Sequence, residues 1–295
     1  MQSADFLSAV FFYLKVGENL NQNWIVENLN NAFSTWNGKL GELWGLVTTG
    51  PQTFKGGSVW SVMQTLHNGM VGIGYALVVL FFAISLCKNT MNFHELKRPE
   101  AASHYFLRFV AAKALVGYGM DIMLNVFSIC NGIVTDMADS MGGISEAMVS
   151  LPAEMQTAIE NVGFLASIPL WLVTILGSLF ITVLSFVMIL TVYGRFFRLY
   201  MYTALAPLPL AAFAGESTQS VGISFLKSYV GVCLEGAVIV LACVIYSSFV
   251  STPTVASGEA TTIVWSYLAE TVFNMLVLVG LIKGSDRIIH EMMGL

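Results

Sequence analysis

The sequence predicts an all-α, polytopic membrane protein with about five transmembrane helices, a proline-broken re-entrant segment and an amphipathic N-terminal region. Two observations lead to this fold class. Of the 295 residues, 56% are hydrophobic and only 11% are charged, and the mean hydropathy is +0.74. A soluble domain is about 45–50% apolar and about 25% charged. The apolar residues also gather in runs long enough to cross a hydrocarbon core of about 30 Å.

Residues 1–57 are predicted to be an amphipathic region at the membrane surface or outside the cytoplasm. Phe6–Leu14 and Leu20–Phe33 each place apolar residues at helical spacing, so we expect two helices too short in apolar length to span. The glycine-rich stretch Thr48–Ser58 is expected to be a loop. Because no basic region precedes Phe6, we expect no cleavable signal peptide.

Residues 58–295 are predicted to form the helical transmembrane domain, with spans at roughly 69–87, 105–126, 168–193, 229–250 and 261–282. Three of these spans contain a charge at depth, namely Lys113, Glu235 and Glu270. Each costs about 2.5–3.5 kcal/mol at the bilayer centre, which the surrounding apolar residues outweigh. The charges either line a polar path or pair across helices, or the carboxyl groups are neutral or hydrogen-bonded and fix helix packing.

The stretch "YTALAPLPLAAFAGE" interrupts an apolar segment with Pro207 and Pro209. Each proline lacks an N–H and breaks the helical hydrogen-bond ladder, which predicts a short apolar helix over Leu199–Leu205. Such backbone is tolerated at membrane depth only inside protein or beside a wet cavity. We therefore expect residues 199–213 to enter and leave on the same side, with a full span as the alternative.

Basic residues predict the orientation. If residues 199–213 are re-entrant, five basic residues fall on one side of the membrane: Arg195, Arg198, Lys227, Lys283 and Arg287. By the positive-inside rule this side is the cytoplasm, so the N-terminus is expected outside and the C-terminus inside.

No catalytic or cofactor-binding pattern is present. The sequence has no P-loop, no G-x-S-x-G and no H-E-x-x-H motif, and its four cysteines lack metal-ligand spacing. The four histidines are scattered, and we expect each to be solvated or interfacial: His67, His94, His104 and His290. The interpretation is a non-enzymatic protein without a cofactor or bound metal.

One stretch of the chain is similar to a known family. "GRFFRLYMYTALAPLPLAAFAGESTQSVGISFLKSYVGVCLEGAVIV", residues 194–240, resembles the TrbL-like, VirB-type inner-membrane subunits of conjugative type IV secretion systems, in the version found on Gram-positive conjugative elements. The shared features are a Gly-Arg pair at Gly194, the Ala-Pro-x-Pro break at Pro207 and the "LKS" around Lys227. "GSVWSVMQTLHNGMVGIGYALVVLFF" and "ELKRPE" leading to "FLRFVAAKALV" are also similar to that family.

This resemblance implies a non-enzymatic channel or scaffold subunit of the bacterial cytoplasmic membrane, present in several copies. It would help to move single-stranded DNA with its relaxase out of the donor cell, alongside secretion ATPases and other membrane subunits. Arg195, Arg198 and Lys227 are then candidate cytoplasmic contacts for acidic ATPase surfaces or phosphates, or they simply anchor the topology. The alternative is an ion-coupled secondary transporter of a small solute, which a broken helix and buried Glu235 and Glu270 would also suit.

Overall fold

A computed structural model describes residues 2–90, 99–140, 148–162, 164–249 and 260–295, and within these ranges it contains helices and turns but no strand. The all-α prediction is therefore confirmed. Nine α-helices occur in the described ranges: α1 (Gln2–Thr48), α2 (Ser58–Thr90), α3 (Pro99–Gly117), α4 (Gly119–Ser140), α5 (Ala153–Glu160), α6 (Phe164–Leu205), α7 (Pro207–Ala211), α8 (Gln219–Phe249) and α9 (Ala260–Met293). Short 3-10 turns cover Phe54–Gly57 and Ala212–Ala214.

Four stretches of helix are long and apolar enough to cross a membrane: Phe54–Lys88, Ile168–Leu205, Gln219–Ser248 and Thr262–Met293. A fifth crossing is reached if the bent pair Ser103–Gly117 and Gly119–Ser140 is one broken span. The expected polytopic architecture with about five spans agrees with this finding.

The predicted second span, residues 105–126, is not one continuous helix. α3 and α4 meet at Tyr118 with a bend of 72°. Gly117 and Gly119 flank the bend and allow close packing there. A Cβ on Gly117 would lie 2.7 Å from the Tyr75 hydroxyl, and one on Gly119 would lie 3.1 Å from Leu210. Hydropathy alone could not show this bend, since the residues on both sides are apolar.

The two short N-terminal helices predicted from periodicity are wrong, because α1 is a single helix of 47 residues. The polar stretch after Leu14 interrupts the apolar pattern but contains no proline, and a single interior glycine costs only about 1 kcal/mol. The helix ends at Thr48, three residues before the first proline, Pro51. Its described side chains are amphipathic, with buried residues at spacings of three and four: Ile25, Leu29, Ala32, Trp36, Leu40, Leu43 and Val47.

The predicted separate helix Leu199–Leu205 is also wrong, because these residues are the last two turns of α6. Pro207 removes the hydrogen-bond donor for the carbonyl four residues earlier, so it disturbs the ladder only from Thr203 onward. The helix therefore continues through Gly194 and ends just before the proline. With 42 residues, α6 is roughly 63 Å long, about twice the hydrocarbon thickness. The re-entrant placement of 199–213 and the orientation of the termini stay predictions.

The chain forms two compact units, of which the first comprises residues 1–45, 142–191 and 241–283. Side chains of this unit hold residues 148–152, which have no regular secondary structure, and also join α1 to α6. Asn37 donates to the Val149 carbonyl (2.8 Å) and accepts from the Val149 N–H (2.9 Å), so its amide replaces a backbone partner. The Tyr267 hydroxyl donates to the Ser150 carbonyl (3.1 Å), and Asn28 donates to Ser178 (3.1 Å).

The second unit comprises residues 46–141, 192–240 and 284–295, and the proline-broken segment lies in its core. α7 packs against both α2 and α3. Within the segment Pro207, Leu210, Ala211, Ala212 and Ala214 are buried. This surrounding by protein is the condition under which an irregular backbone is tolerated at membrane depth. The predicted division into residues 1–57 and 58–295 is a statement about membrane placement and stays a prediction.

Gly74 lies at a close approach between α2 and α7, and it gives the first test. A Cβ at Gly74 would lie 2.9 Å from the Pro207 carbonyl oxygen and 2.9 Å from Val116, whereas one at Gly72 would meet nothing within 4 Å. We expect Gly74→Ala to lower the melting temperature of the detergent-solubilised protein by roughly 3 to 10 °C through overpacking. Gly72→Ala, on the same helix, should leave it unchanged or slightly raised. Equal melting temperatures would contradict this packing.

Candidate functional site

The centre of the second unit is a fully buried cation. The Arg195 side chain is 0% exposed, and its guanidinium donates to three backbone carbonyl oxygens. Nε reaches Val232 (3.3 Å), Nη1 reaches Val47 (3.3 Å) and Nη2 reaches Cys233 (3.1 Å). A buried charge is very unfavourable unless its donors are satisfied, so these contacts decide whether the site can exist.

Sequence features on two helices make room for this guanidinium. Gly236 faces it, and a Cβ there would lie 2.8 Å from both terminal nitrogens of Arg195. Val47 lies in the last turn of α1, where carbonyl groups lack donors within the helix. A positive charge is also stabilised at a helix C-terminus by the helix dipole. Arg195 thus caps the end of α1 and joins it to α6 and α8.

The turn that follows α1 is fixed to the same part of α6. Phe54 stacks on Phe196, with ring centroids 4.0 Å apart and an interplanar angle of 12°, and its edge meets Tyr193 at 5.5 Å. The Tyr200 hydroxyl donates to the Pro51 carbonyl at 2.8 Å. These aromatic contacts hold the end of α1 in position for the hydrogen bond from Arg195.

Arg198, one turn further along α6, is held by acids instead of carbonyls. Its Nη2 lies 2.7 and 2.6 Å from the two carboxylate oxygens of Glu235, and its Nη1 lies 2.6 Å from Asp286. Glu235 is 1% exposed and also accepts from the Ser285 hydroxyl at 3.2 Å. The ionic bracket formed by Arg198, Glu235, Asp286 and Ser285 therefore connects α6, α8 and α9.

The buried cluster is electrically balanced. The group contains two arginines, Arg195 and Arg198, and two carboxylates, Glu235 and Asp286, so its formal charge is zero when His290, 3.6 Å from Asp286, is neutral. Arg198 is 29% exposed and Asp286 41% exposed, which leaves one side of the bracket in contact with the surroundings. Neutrality allows several charges to remain in an apolar helical unit without a bound counter-ion.

A buried histidine repairs the hydrogen-bond ladder that Pro207 breaks. In an unbroken helix the Thr203 carbonyl would accept from the N–H of residue 207, but proline has none. His67, 2% exposed on α2, places Nδ1 2.7 Å from that oxygen. Because a carbonyl can only accept, Nδ1 must carry the proton and donate. The expectation that His67 is solvated or interfacial is wrong, since the broken ladder creates a need for a buried donor.

The structure separates the candidate residues predicted from sequence into two groups. Lys113, Lys227 and Glu270 are exposed on their helices. Glu235 is buried, and its ionic partner is Arg198, not Lys113. Arg195 is buried and Arg198 is half-buried in contact with two carboxylates, whereas the sequence suggested both as contacts for a partner. Of the two prolines, Pro207 is buried and Pro209 is partly exposed.

Sequence reasoning missed four residues that complete the site: His67, Gly236, Ser285 and Asp286. Two of them carried a usable signal. Pro207 implies an unpaired carbonyl at residue 203, so a polar residue in a neighbouring span was to be expected. The glycine next to a buried Glu235 indicates a close approach by another group. Asp286 lies in a short amphipathic stretch near the end of the sequence, where a charged residue is ordinary and does not indicate a buried partner.

The fold and this cluster define a polytopic helical membrane protein whose spans are joined by buried, mutually neutralised charges. A family model described as TrbL/VirB6 plasmid conjugal transfer like protein matches residues 36–207, more than half of the chain. The chain belongs to that family, and it is therefore a conjugal transfer component of a type IV secretion system, one subunit of a larger complex. Comparison with curated proteins and with solved structures gives no match.

The carbonyl contacts of Arg195 give the second test. A lysine at this position has a single ammonium group and cannot reach three carbonyls in different directions. We expect Arg195→Lys to lower the melting temperature of the detergent-solubilised protein by about 5 to 15 °C. The control is Arg287→Lys, because Arg287 is 84% exposed in its pair with Glu291, and it should shift the melting temperature little. Similar effects of the two changes would refute a structural role for the carbonyl contacts.

The pairing of His67 with Thr203 gives the third test, a double-mutant cycle. His67→Phe removes the donor and leaves the Thr203 carbonyl unsatisfied, at a cost of about 1–3 kcal/mol in stability. Pro207→Ala restores a backbone N–H at residue 207, so the same His67→Phe change should cost much less in that background. His67→Asn keeps a donor near the position of Nδ1 and should fall between the wild type and His67→Phe. Additive effects of His67→Phe and Pro207→Ala would exclude the proposed repair.

Proposed function

We propose that this chain is a channel or scaffold subunit that helps to move single-stranded DNA, with its relaxase attached, across the bacterial cytoplasmic membrane. The observation that carries the proposal is the family match over residues 36–207, on a chain with four to five potential spans. The proposed orientation has the N-terminus outside and the C-terminus in the cytoplasm. The proposed partners are the secretion ATPases and other membrane subunits of the same system.

The distribution of charge supports a division of roles among the candidate residues. Both carboxylate oxygens of Glu235 are bound by Arg198, and all three nitrogens of the Arg195 guanidinium contact carbonyls. These residues position helices, and few of their hydrogen-bonding groups remain available to a passing substrate. Contact with DNA, relaxase or an ATPase then belongs to exposed charges, for which Lys113, Lys227 and Glu270 are the candidates.

The surface of α2 supports the presence of several copies. Only 17% of the most apolar part of the span Phe54–Lys88 is buried within the chain. A Cβ atom at Gly69 or Gly72 would have no neighbour within 4 Å. In membranes, small residues let helices approach closely, so this face suits packing against another subunit or lipid. Contacts of this kind would join several copies of the chain in the proposed channel or scaffold.

The alternative of an ion-coupled solute transporter receives less support. This alternative was based on the broken helix and on two buried carboxylates, and of these Glu270 is exposed. Glu235 is instead held by Arg198 and Ser285 within a neutral cluster. No described feature therefore favours the transporter over the secretion subunit.

A mating assay gives the fourth test. In-frame deletion of the gene in a donor should abolish DNA transfer to recipients, and a copy at a second site should restore it. A photo-crosslinker placed at Lys113 or Glu270 should then capture DNA during mating. The matched control is Leu190, which is 67% exposed on α6 but has an apolar side chain in an apolar run.

The outcomes of this assay separate the possibilities. Unchanged transfer after deletion would refute a role in secretion altogether. Loss of transfer without capture at Lys113 or Glu270 would place the chain in the scaffold and refute the assignment of those two residues to the path. Equal capture at Leu190 would show contact that does not depend on the charged positions.

A further inference from the structure

A cleft in the second unit has the features of a ligand site that the secretion role does not require. Its volume is about 460 Å³, and it is lined by α3 from His104 to Leu115, by the segment that precedes α8 and by the first residue of α8. The polar lining residues include His104, Arg108, Glu216 and Gln219. The apolar lining residues include Leu107, Phe213 and, further along α3, Leu115. The volume is within the range of about 300–1,000 Å³ that is typical of small-molecule sites.

The cleft lies beside the ends of two apolar helices, α2 and α8, and along α3. In the 19-residue helix α3, His104 is in the second turn and Arg108 is at the middle. Gln219 is the first residue of α8, and the N–H of Glu216 lies 3.5 Å from the hydroxyl of Ser85, near the end of α2. The ends of membrane helices lie at the depth of the lipid headgroups. Glu216 and Gln219 are therefore expected at headgroup depth, and the long Arg108 side chain reaches that depth through its contact with Gln219. The apolar lining residue Leu115, about two turns beyond Arg108 on α3, is expected further from the headgroups.

Arg108 is a half-buried cation that, among the side chains the structure describes, is oriented by a neutral group and not by a carboxylate. Its Nη2 donates to the amide oxygen of Gln219 at 2.9 Å, and that group carries no charge. Glu216 lines the same cleft, but the recorded hydrogen bond of Arg108 goes to Gln219. A guanidinium held in this way can still present its remaining N–H groups to a phosphate, which it binds strongly.

From this geometry we infer a binding site for an amine-bearing phospholipid of the phosphatidylethanolamine type. The phosphodiester contacts Arg108, the ammonium group contacts Glu216, and the first acyl carbons follow Leu107 and Phe213. One cation and one carboxylate in a single cleft match a headgroup that carries a phosphate and an amine. A headgroup such as phosphatidylglycerol would place its phosphate near Arg108 but offer Glu216 only neutral hydroxyl donors, without the ionic contact that an ammonium group makes.

Lipid binding to the purified full-length chain tests the inference. Native mass spectrometry from detergent measures binding of phosphatidylethanolamine and phosphatidylglycerol with the same acyl chains. Soluble glycerophosphoethanolamine is the third ligand and separates recognition of the headgroup alone from recognition of the whole lipid. The variants are Arg108→Gln, Glu216→Gln and, as a matched control, Lys113→Gln. The control removes a positive charge from the exposed surface of the same helix, outside the cleft.

We expect Arg108→Gln to weaken phosphatidylethanolamine binding about tenfold or more, since a charge-assisted hydrogen bond to phosphate is lost. Lys113→Gln should leave the binding within about twofold, because surface charges contribute little. Glu216→Gln should remove the preference for phosphatidylethanolamine over phosphatidylglycerol. Because Glu216 is exposed, this variant should fold normally and keeps the test valid if Arg108→Gln is unstable.

Three results would overturn the inference. Equal losses in Arg108→Gln and Lys113→Gln would indicate general electrostatic attraction and no site. An unchanged lipid preference in Glu216→Gln would refute the contact between the amine and the carboxylate. Binding of glycerophosphoethanolamine as tight as that of the lipid would show that the apolar lining residues have no part and that the site is not one for a membrane lipid. None of these results bears on the mating assay, so the two proposals fail separately.

Discussion

The three hydrogen bonds from Arg195 to backbone carbonyls are the constraint on which the second unit depends. They fix the last turn of α1, through Val47, to the middle of α8, through Val232 and Cys233. A side chain that bonds to backbone groups does not depend on the identity of its partners' side chains. It depends instead on close approach, which is why Gly236 stands where any Cβ would meet the guanidinium. The site is therefore defined by an arginine and a glycine that are 41 residues apart in the sequence.

The proline break changes the number of hydrogen-bond donors available to the backbone in the opposite direction. Pro207 takes a donor away from the backbone, whereas Arg195 brings additional donors to it. In each case a buried side chain on one helix donates a hydrogen bond to a backbone carbonyl of another helix. For the Thr203 carbonyl the donor is His67. A broken helix inside a membrane protein thus requires a specific partner. α2 contacts both sides of the break, the end of α6 through the hydrogen bond of His67 and the start of α7 through the packing at Gly74.

The sequence allowed the fold class and the number of spans to be predicted, because hydropathy depends on residues close together in the chain. The ends of helices were less predictable. The bend at Tyr118 and the continuous α1 follow from tertiary packing and from the absence of a breaker, neither of which changes hydropathy. The cluster was predicted only in part: Arg195, Arg198 and Glu235 were noticed as charges in apolar surroundings. The pairing of Arg198 with both Glu235 and Asp286 could not be predicted. These two carboxylates are 51 residues apart in the sequence and come together only when α8 and α9 pack.

The placement of the charges determines which surfaces of the protein can attract a transferred strand. Arg195, Arg198, Glu235 and Asp286 neutralise one another, so these four charges contribute little field at long range and are poorly suited to attract a polyanion. A strongly basic surface would hold DNA tightly through the release of counterions, and transfer would then be slowed. Keeping the arginines inside a neutral cluster joins the helices by strong interactions without adding their positive field to the surface. Under the proposed role in DNA transfer, such a surface would guide the strand by steric enclosure more than by attraction.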